Sequence, residues 1–93
     1  MKFLITFKIK NGFDRWLKLV DDLQPYMDKY EYTMIFACTN DDETQVWDMG
    51  EANNPDLIND FLGDQEVIKM REEAGVDLES SEVISSISKH KIW

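Results

Sequence analysis

The sequence predicts an α+β domain: a four-stranded antiparallel sheet with both helices on one face, in the order β-α-β-β-α-β. Three observations carry this. Residues 2–10 alternate apolar and polar side chains with a period of two. Two later stretches, 13–30 and 55–74, carry apolar residues at three- and four-residue spacing. Between them, two short apolar runs flank the polar turn Asn40-Asp41-Asp42-Glu43.

Taken in order, Phe3, Ile5, Phe7 and Ile9 alternate with Lys2, Leu4, Thr6, Lys8 and Lys10, so strand 1 has four large apolar groups on one face. Asn11-Gly12 ends it. Phe13, Trp16, Leu17, Val20, Leu23, Met27 and Tyr30 form the stripe of a first helix over about 13–30, with a bend expected near Pro25, which has no backbone donor. Residues 32–39, YTMIFACT, are uncharged and rich in β-branched and aromatic types, which predicts a strand apolar on both faces. Residues 45–49, QVWDM, follow at hairpin distance, so strands 2 and 3 pair antiparallel, and 50–54 close the hairpin. Asn54 is the expected N-cap of the second helix, with Pro55 at its first position and Asp56 in its first turn. Leu57, Ile58, Phe61 and Leu62 begin its stripe, Gly63-Asp64 interrupts it, Val67, Ile68 and Met70 resume it, and Gly75 stops it. After a polar connection over 77–82, residues 83–93 alternate and predict strand 4. Two right-handed β-α-β crossovers in one antiparallel sheet give a ferredoxin-like arrangement with spatial order 4-1-3-2.

A chain of 93 residues holds one domain, 1–93. With 43% hydrophobic residues it has enough apolar material to fold. Nineteen acids against ten bases give a net charge of -9, which repels phosphate backbones and anionic bilayers, so neither nucleic acid nor a membrane is an expected partner. One cysteine and one histidine exclude a disulfide framework and a four-ligand Cys/His zinc site; no metal or cofactor is expected. Lysines 2, 8 and 10 interrupt the N-terminal apolar run, so no signal peptide or membrane span is expected, and the reading is a cytoplasmic protein.

Both faces of the predicted sheet carry apolar groups. Pairing strands 2 and 3 about the Asp41-Asp42 turn groups Met34, Phe36, Trp47 and Met49 on one side and Ile35, Ala37, Val46 and Asp48 on the other. Leu4 and strand 4 residues add to the second face. Six such side chains, each worth roughly 1.5 to 3 kcal/mol when buried, predict a homodimer joined sheet to sheet. In this respect the chain resembles the dimeric α/β-barrel superfamily, which includes antibiotic-biosynthesis-monooxygenase-like and EthD-like domains, and is most similar to its small bacterial members of unknown function. The segment Phe61-Leu62-Gly63-Asp64-Gln65-Glu66, followed by Met70 and Ala74-Gly75-Val76, is similar to the broken helix those domains carry before the last strand. The resemblance implies a barrel closed at the dimer interface with a cavity there. It also disfavours the haem-degrading branch, because the second helix has no histidine.

Candidate site residues follow from chemistry. His90 is the only side chain that ordinarily titrates near neutrality, and is the first candidate for a general acid or base, against the plain alternative of a surface residue between Lys89 and Lys91. Asp48 is the one carboxylate inside an apolar strand, where burial raises a pKa; the alternative is a strand-end acid in solvent. Trp47, Met34 and Phe36 are candidates to line a ligand cavity, although tryptophan at strand spacing more often fills a core. Cys38 reads as a small buried hydrophobe with no chemistry. Residues 1–10 and 83–93 hold five lysines and no acid, whereas 11–82 hold all 19 acids. Lys8 is therefore a candidate contact for an anionic ligand; the alternative is protection of strand edges. The leading functional expectation is a homodimer that binds a small, partly apolar molecule in an interfacial cavity. The alternatives are a cofactor-independent monooxygenase or isomerase using His90 or Asp48, and a protein-interaction module docking through its acidic helices.

Overall fold

The computed structural model describes residues 1–93 and contains β1 (Lys2–Ile9), α1 (Phe13–Asp22), α2 (Gln24–Lys29), β2 (Tyr32–Thr39), β3 (Gln45–Ala52), α3 (Asp56–Gly63), α4 (Gln65–Glu73) and β4 (Val76–Ile87). The sheet order is β2-β3-β1-β4 with every neighbouring pair antiparallel, the predicted topology. Each crossover is a pair of short helices. Pro25 sits in the first turn of α2 and cannot donate back into α1, so the first helix ends at Asp22. Asp64 breaks the second. Its backbone is extended and its Oδ1 accepts from the amides of Glu66 at 2.9 Å and Val67 at 3.4 Å, capping α4, while Oδ2 accepts from Tyr30 Oη at 2.7 Å. That tyrosine hydrogen bond is the main reason the Asp64 carboxyl sits below its usual pKa, with the two amides assisting. Asn54 Oδ1 accepts from the Asp56 amide at the start of α3. Gly75 ends α4 at φ 90°, where an L side chain would be strained.

The helices cover the sheet face that carries Phe7, Ile9, Tyr32, Val46 and Val76. Against it pack Trp16, Leu19, Leu23, Met27, Phe61 and Val67 to form one core. Trp16 stacks on Phe13 and tilts against Phe7, which fixes the start of α1 over β1.

Four expectations need correction. Strand 4 does not occupy 83–93: β4 begins at Val76, directly after the Gly75 stop, and ends at Ile87, leaving 88–93 beyond the sheet. The reason is burial. Val76 pairs with Ile9 and enters the core, and two register shifts then absorb the surplus residues so that Val83 meets Ile5 and Ser85 meets Leu4. Consequently β4 carries Asp77, Glu79 and Glu82 and no base, so the β1-β4 pair is not the positively charged strand pair the terminal lysines suggested. Met34 and Phe36 do not share a face. Met34 pairs with Gly50 and Phe36 with Met49, so Ile35 is an extra residue that flips the alternation. Lastly, Cys38 is exposed rather than buried, because it lies opposite Trp47 on the sheet face without helices.

That outer face carries Leu4, Phe36, Trp47 and Met49 in register across three strands; Phe36 is 40% exposed. No helix is long and apolar enough to cross a membrane.

Candidate functional site

Strand β3 alternates, and the register that pairs Asp48 with Ile5 on one side and Ala37 on the other turns its side chain under the helices. Its neighbours on that face are Val46, fully buried, and Gly50. Asp48 is only 4% exposed, and its Oδ1 has no hydrogen-bond partner. An unpaired polar atom in such surroundings is expensive, on the order of 1 to 3 kcal/mol, so its retention calls for an explanation.

Arg71 comes from the opposite layer. It lies four residues after Val67 and three before Ala74, both buried, so α4 aims its guanidinium along the buried stripe toward the sheet. Cζ stands 5.9 Å from the centroid of the Phe7 ring, and Nη2 donates to Ser81 Oγ at 3.4 Å. Tyr32, at the start of β2, stacks on Phe61 with centroids 5.6 Å apart and lies directly over Gly50, which leaves room for the phenol because it has no Cβ.

These three groups border a cavity of about 70 Å³ between sheet and helices; apart from Asp48 and Arg71 all of its lining residues are hydrophobic, with Tyr32 adding its phenol. Ile5, Phe7 and Met34 line its floor; Trp16, Leu19, Met27, Ile58 and Phe61 line its roof. Leu62 also lines it and is exposed, so the cavity reaches the surface beside α3. The volume is several times what one water needs and about half that of a cavity able to hold benzene.

Burial pushes the Asp48 carboxyl up to about 7, and the positive charge of Arg71 only partly draws it back. Burial, and then the Asp48 charge, push the Tyr32 phenol up, so it stays neutral at physiological pH. Burial pulls Arg71 below its usual value, opposed by Asp48 and Tyr32. Arg71 and Asp48 make no ion pair within 4.0 Å; the one such pair in the molecule is Lys18–Asp22 on the surface. The site thus holds a carboxyl that can exist in either protonation state near neutral pH and a fixed cation, in an otherwise apolar enclosure. No cluster of three or more His, Cys, Asp or Glu side chains is arranged to hold a metal.

Of the residues singled out from sequence, Asp48 and Met34 line this cavity. Trp47 and Phe36 lie on the other sheet face. Lys8 is exposed and borders a shallow groove of mixed charge with Lys10, Glu72, Asp77 and Glu79. His90 lies past the end of β4 in solvent, where Lys2 Nζ donates to its Nδ1 at 3.3 Å. Within one chain, then, His90 and Asp48 are not brought together. Arg71 and Tyr32 are site residues that sequence reasoning missed. A signal for Arg71 existed: it occupies a core position of a helical stripe, where a cation needs a reason.

No protein-family model and no curated protein matches the chain. Among solved structures, the X-ray structure of protein Atu4242 from Agrobacterium tumefaciens, a structural-genomics target, is similar with a TM-score of 0.56 at 14% identity, over 88% of each chain. At that identity the likeness is one of fold, and the fold is an α+β domain built on a four-stranded antiparallel sheet, compatible with the ferredoxin-like arrangement.

Proposed function

We propose that the protein binds a small, largely apolar molecule in the cavity between its sheet and helices, with Asp48 and Arg71 holding the one polar part of that molecule. The observation that carries this reading is Asp48, a carboxylate that lines an apolar cavity and whose Oδ1 has no hydrogen-bond partner. A ligand bearing a hydrogen-bond donor would engage the Asp48 carboxyl where it lines the cavity, while apolar walls supply affinity and exclude water. The cavity lies inside one chain, on the sheet face opposite the one where a dimer interface would form. Native mass spectrometry of the protein purified from its own host is expected to show a reproducible added mass, lost in a Leu62→Trp variant whose indole plugs the exposed mouth. An unladen wild-type protein whose melting temperature is unmoved by millimolar 2-butanone would remove the reading.

A second observation, the apolar outer sheet face, supports homodimerisation and membership of the dimeric α/β-barrel superfamily. Leu4, Phe36 and Trp47, around the already buried Met49, form a patch across three strands that a second copy of the same patch would cover about a two-fold axis. Sedimentation is expected to give twice the chain mass of 11.0 kDa for the wild type and the chain mass itself for Trp47→Glu. A wild-type monomer at 100 micromolar would exclude the dimer.

A further inference from the structure

We infer that the cavity is built for proton transfer on a small, neutral, enolisable carbonyl compound, with Asp48 taking the proton and the Arg71 guanidinium holding the oxygen that becomes negative. The inference rests on the binding reading above and names the chemistry of its ligand.

The spacing of the two charged groups selects the ligand. Both line one cavity, yet no nitrogen of Arg71 comes within 4.0 Å of the Asp48 carboxylate, so neither neutralises the other directly. Asp48 Oδ1 has no partner at all. An anion such as a carboxylate would satisfy Arg71 but confront Asp48 with like charge in a low-dielectric site. An amine would satisfy Asp48 and be repelled by Arg71. A molecule that suits both is neutral overall, offers an acidic hydrogen to Asp48 and, a bond or two away, an acceptor oxygen to Arg71. A carbon-bound hydrogen beside a carbonyl meets that description. The apolar remainder of the lining, Ile5, Met34, Leu19 and Ile58 among it, asks for a hydrocarbon body with no second charged group. At about 70 Å³ the cavity accommodates a few heavy atoms, and a longer chain would leave past Leu62.

In the reaction, the Asp48 carboxylate removes the proton and the C–H bond breaks. Its electron pair forms a C=C bond while the carbonyl π pair moves to oxygen, giving an enolate paired with the guanidinium. Asp48, now a carboxylic acid, exchanges that proton with solvent through the opening at Leu62 and gives a proton back to the same carbon or to a conjugated one. The second choice is an isomerisation; either way the carboxylate is regenerated and no oxidant, reductant or metal is consumed. The titratable groups facing Asp48 are Arg71 from α4 and Tyr32 from β2. With Tyr32 neutral and Arg71 charged, the rate should follow Asp48 alone and rise as pH passes about 7, where its carboxyl is held.

Incubation with 2-butanone in D2O, followed by proton NMR of the ketone, tests this. The wild type is expected to incorporate deuterium beside the carbonyl about 100-fold or more above buffer. Asp48→Asn should fall to the buffer rate, and Arg71→Met should lose on the order of 100-fold. Arg71→Lys should retain part of the rate, since it keeps the charge. Saturation transfer from protein methyls to 2-butanone, recorded on the same samples, separates binding from chemistry. Ketone binding with exchange at the buffer rate would overturn the proton-transfer inference while leaving the binding reading intact. Exchange undiminished in Asp48→Asn would overturn it by showing that another group is the base. Absence of both exchange and saturation transfer would overturn it together with 2-butanone as a ligand of the cavity.

Discussion

Replacing Asp48 with asparagine is expected to stabilise the protein at pH 8 and change little at pH 4. Asparagine has nearly the shape of a protonated aspartate but cannot ionise. In the wild type the sign follows from proton counts. Below the unfolded value of 3.8, both folded and unfolded chains carry the Asp48 proton, and the group adds no pH dependence. Between 3.8 and about 7 the unfolded chain has released it and the folded chain has not, so stability falls as pH rises. Above about 7 the folded carboxyl ionises too, and the loss is complete. About three pH units at 1.36 kcal/mol each make that loss roughly 4 kcal/mol, a large part of a small domain's total stability. Melting curves from pH 4 to 8 for wild type and variant check it, because their difference cancels the other 18 acids. For a domain of this size the variant's gain at pH 8, relative to pH 4, is on the order of 20 °C. Parallel curves would mean that Asp48 ionises as an ordinary surface carboxylate does, and the cavity would lose its pH-sensitive group.

A Gly50→Ala change should be among the most damaging single substitutions in the chain, although it adds one methyl group. A Cβ at position 50 would overlap Oη, Cζ and Cε1 of Tyr32. Tyr32 is 6% exposed and stacked on Phe61, so the ring cannot swing into solvent without breaking the core. Overpacking of this kind costs about 1 to 3 kcal/mol or more, and the upper end is expected here because several atoms of a ring, not a flexible tip, must move. Denaturant unfolding measures it. Tyr32→Phe should not rescue the variant, since Cζ still overlaps the new methyl. Tyr32→Leu should do so in part, making the double variant less unstable than the two single losses added together. Full additivity would show that the two positions do not meet.

The dependence of Tyr32 on Gly50 illustrates how the site was hidden. Tyr32 and Gly50 lie on different strands; Tyr32 pairs with Ala52, and only the β2-β3 register sets its phenol over Gly50. Asp48 was partly legible, because a carboxylate inside QVWDM is conspicuous in an apolar strand. Its partner was not, because Arg71 lies 23 positions later, in a helix rich in charged residues. His90 drew attention through its chemistry alone, and the structure leaves it against Lys2 at the surface.

What the sequence determined by itself is the order of elements and the way they stack. Alternation over residues 2–9, helical spacing interrupted at Pro25 and at Gly63-Asp64, and the Gly75 stop are all local patterns, and burial of one continuous apolar face leaves few ways to assemble them. Only the tertiary structure decided which side each residue of β2 and β4 faces. One extra residue, Ile35, reverses the alternation after it, and the two register shifts in β4 do the same for Val83 and Ser85. A bulge is settled by how two strands and the layer above them pack, which is a property of the assembled sheet and not of any short run of sequence. For the same reason Met34 reached the cavity while Phe36 and Trp47 turned away from it, and Arg71 met Asp48 across a gap that neither segment encodes.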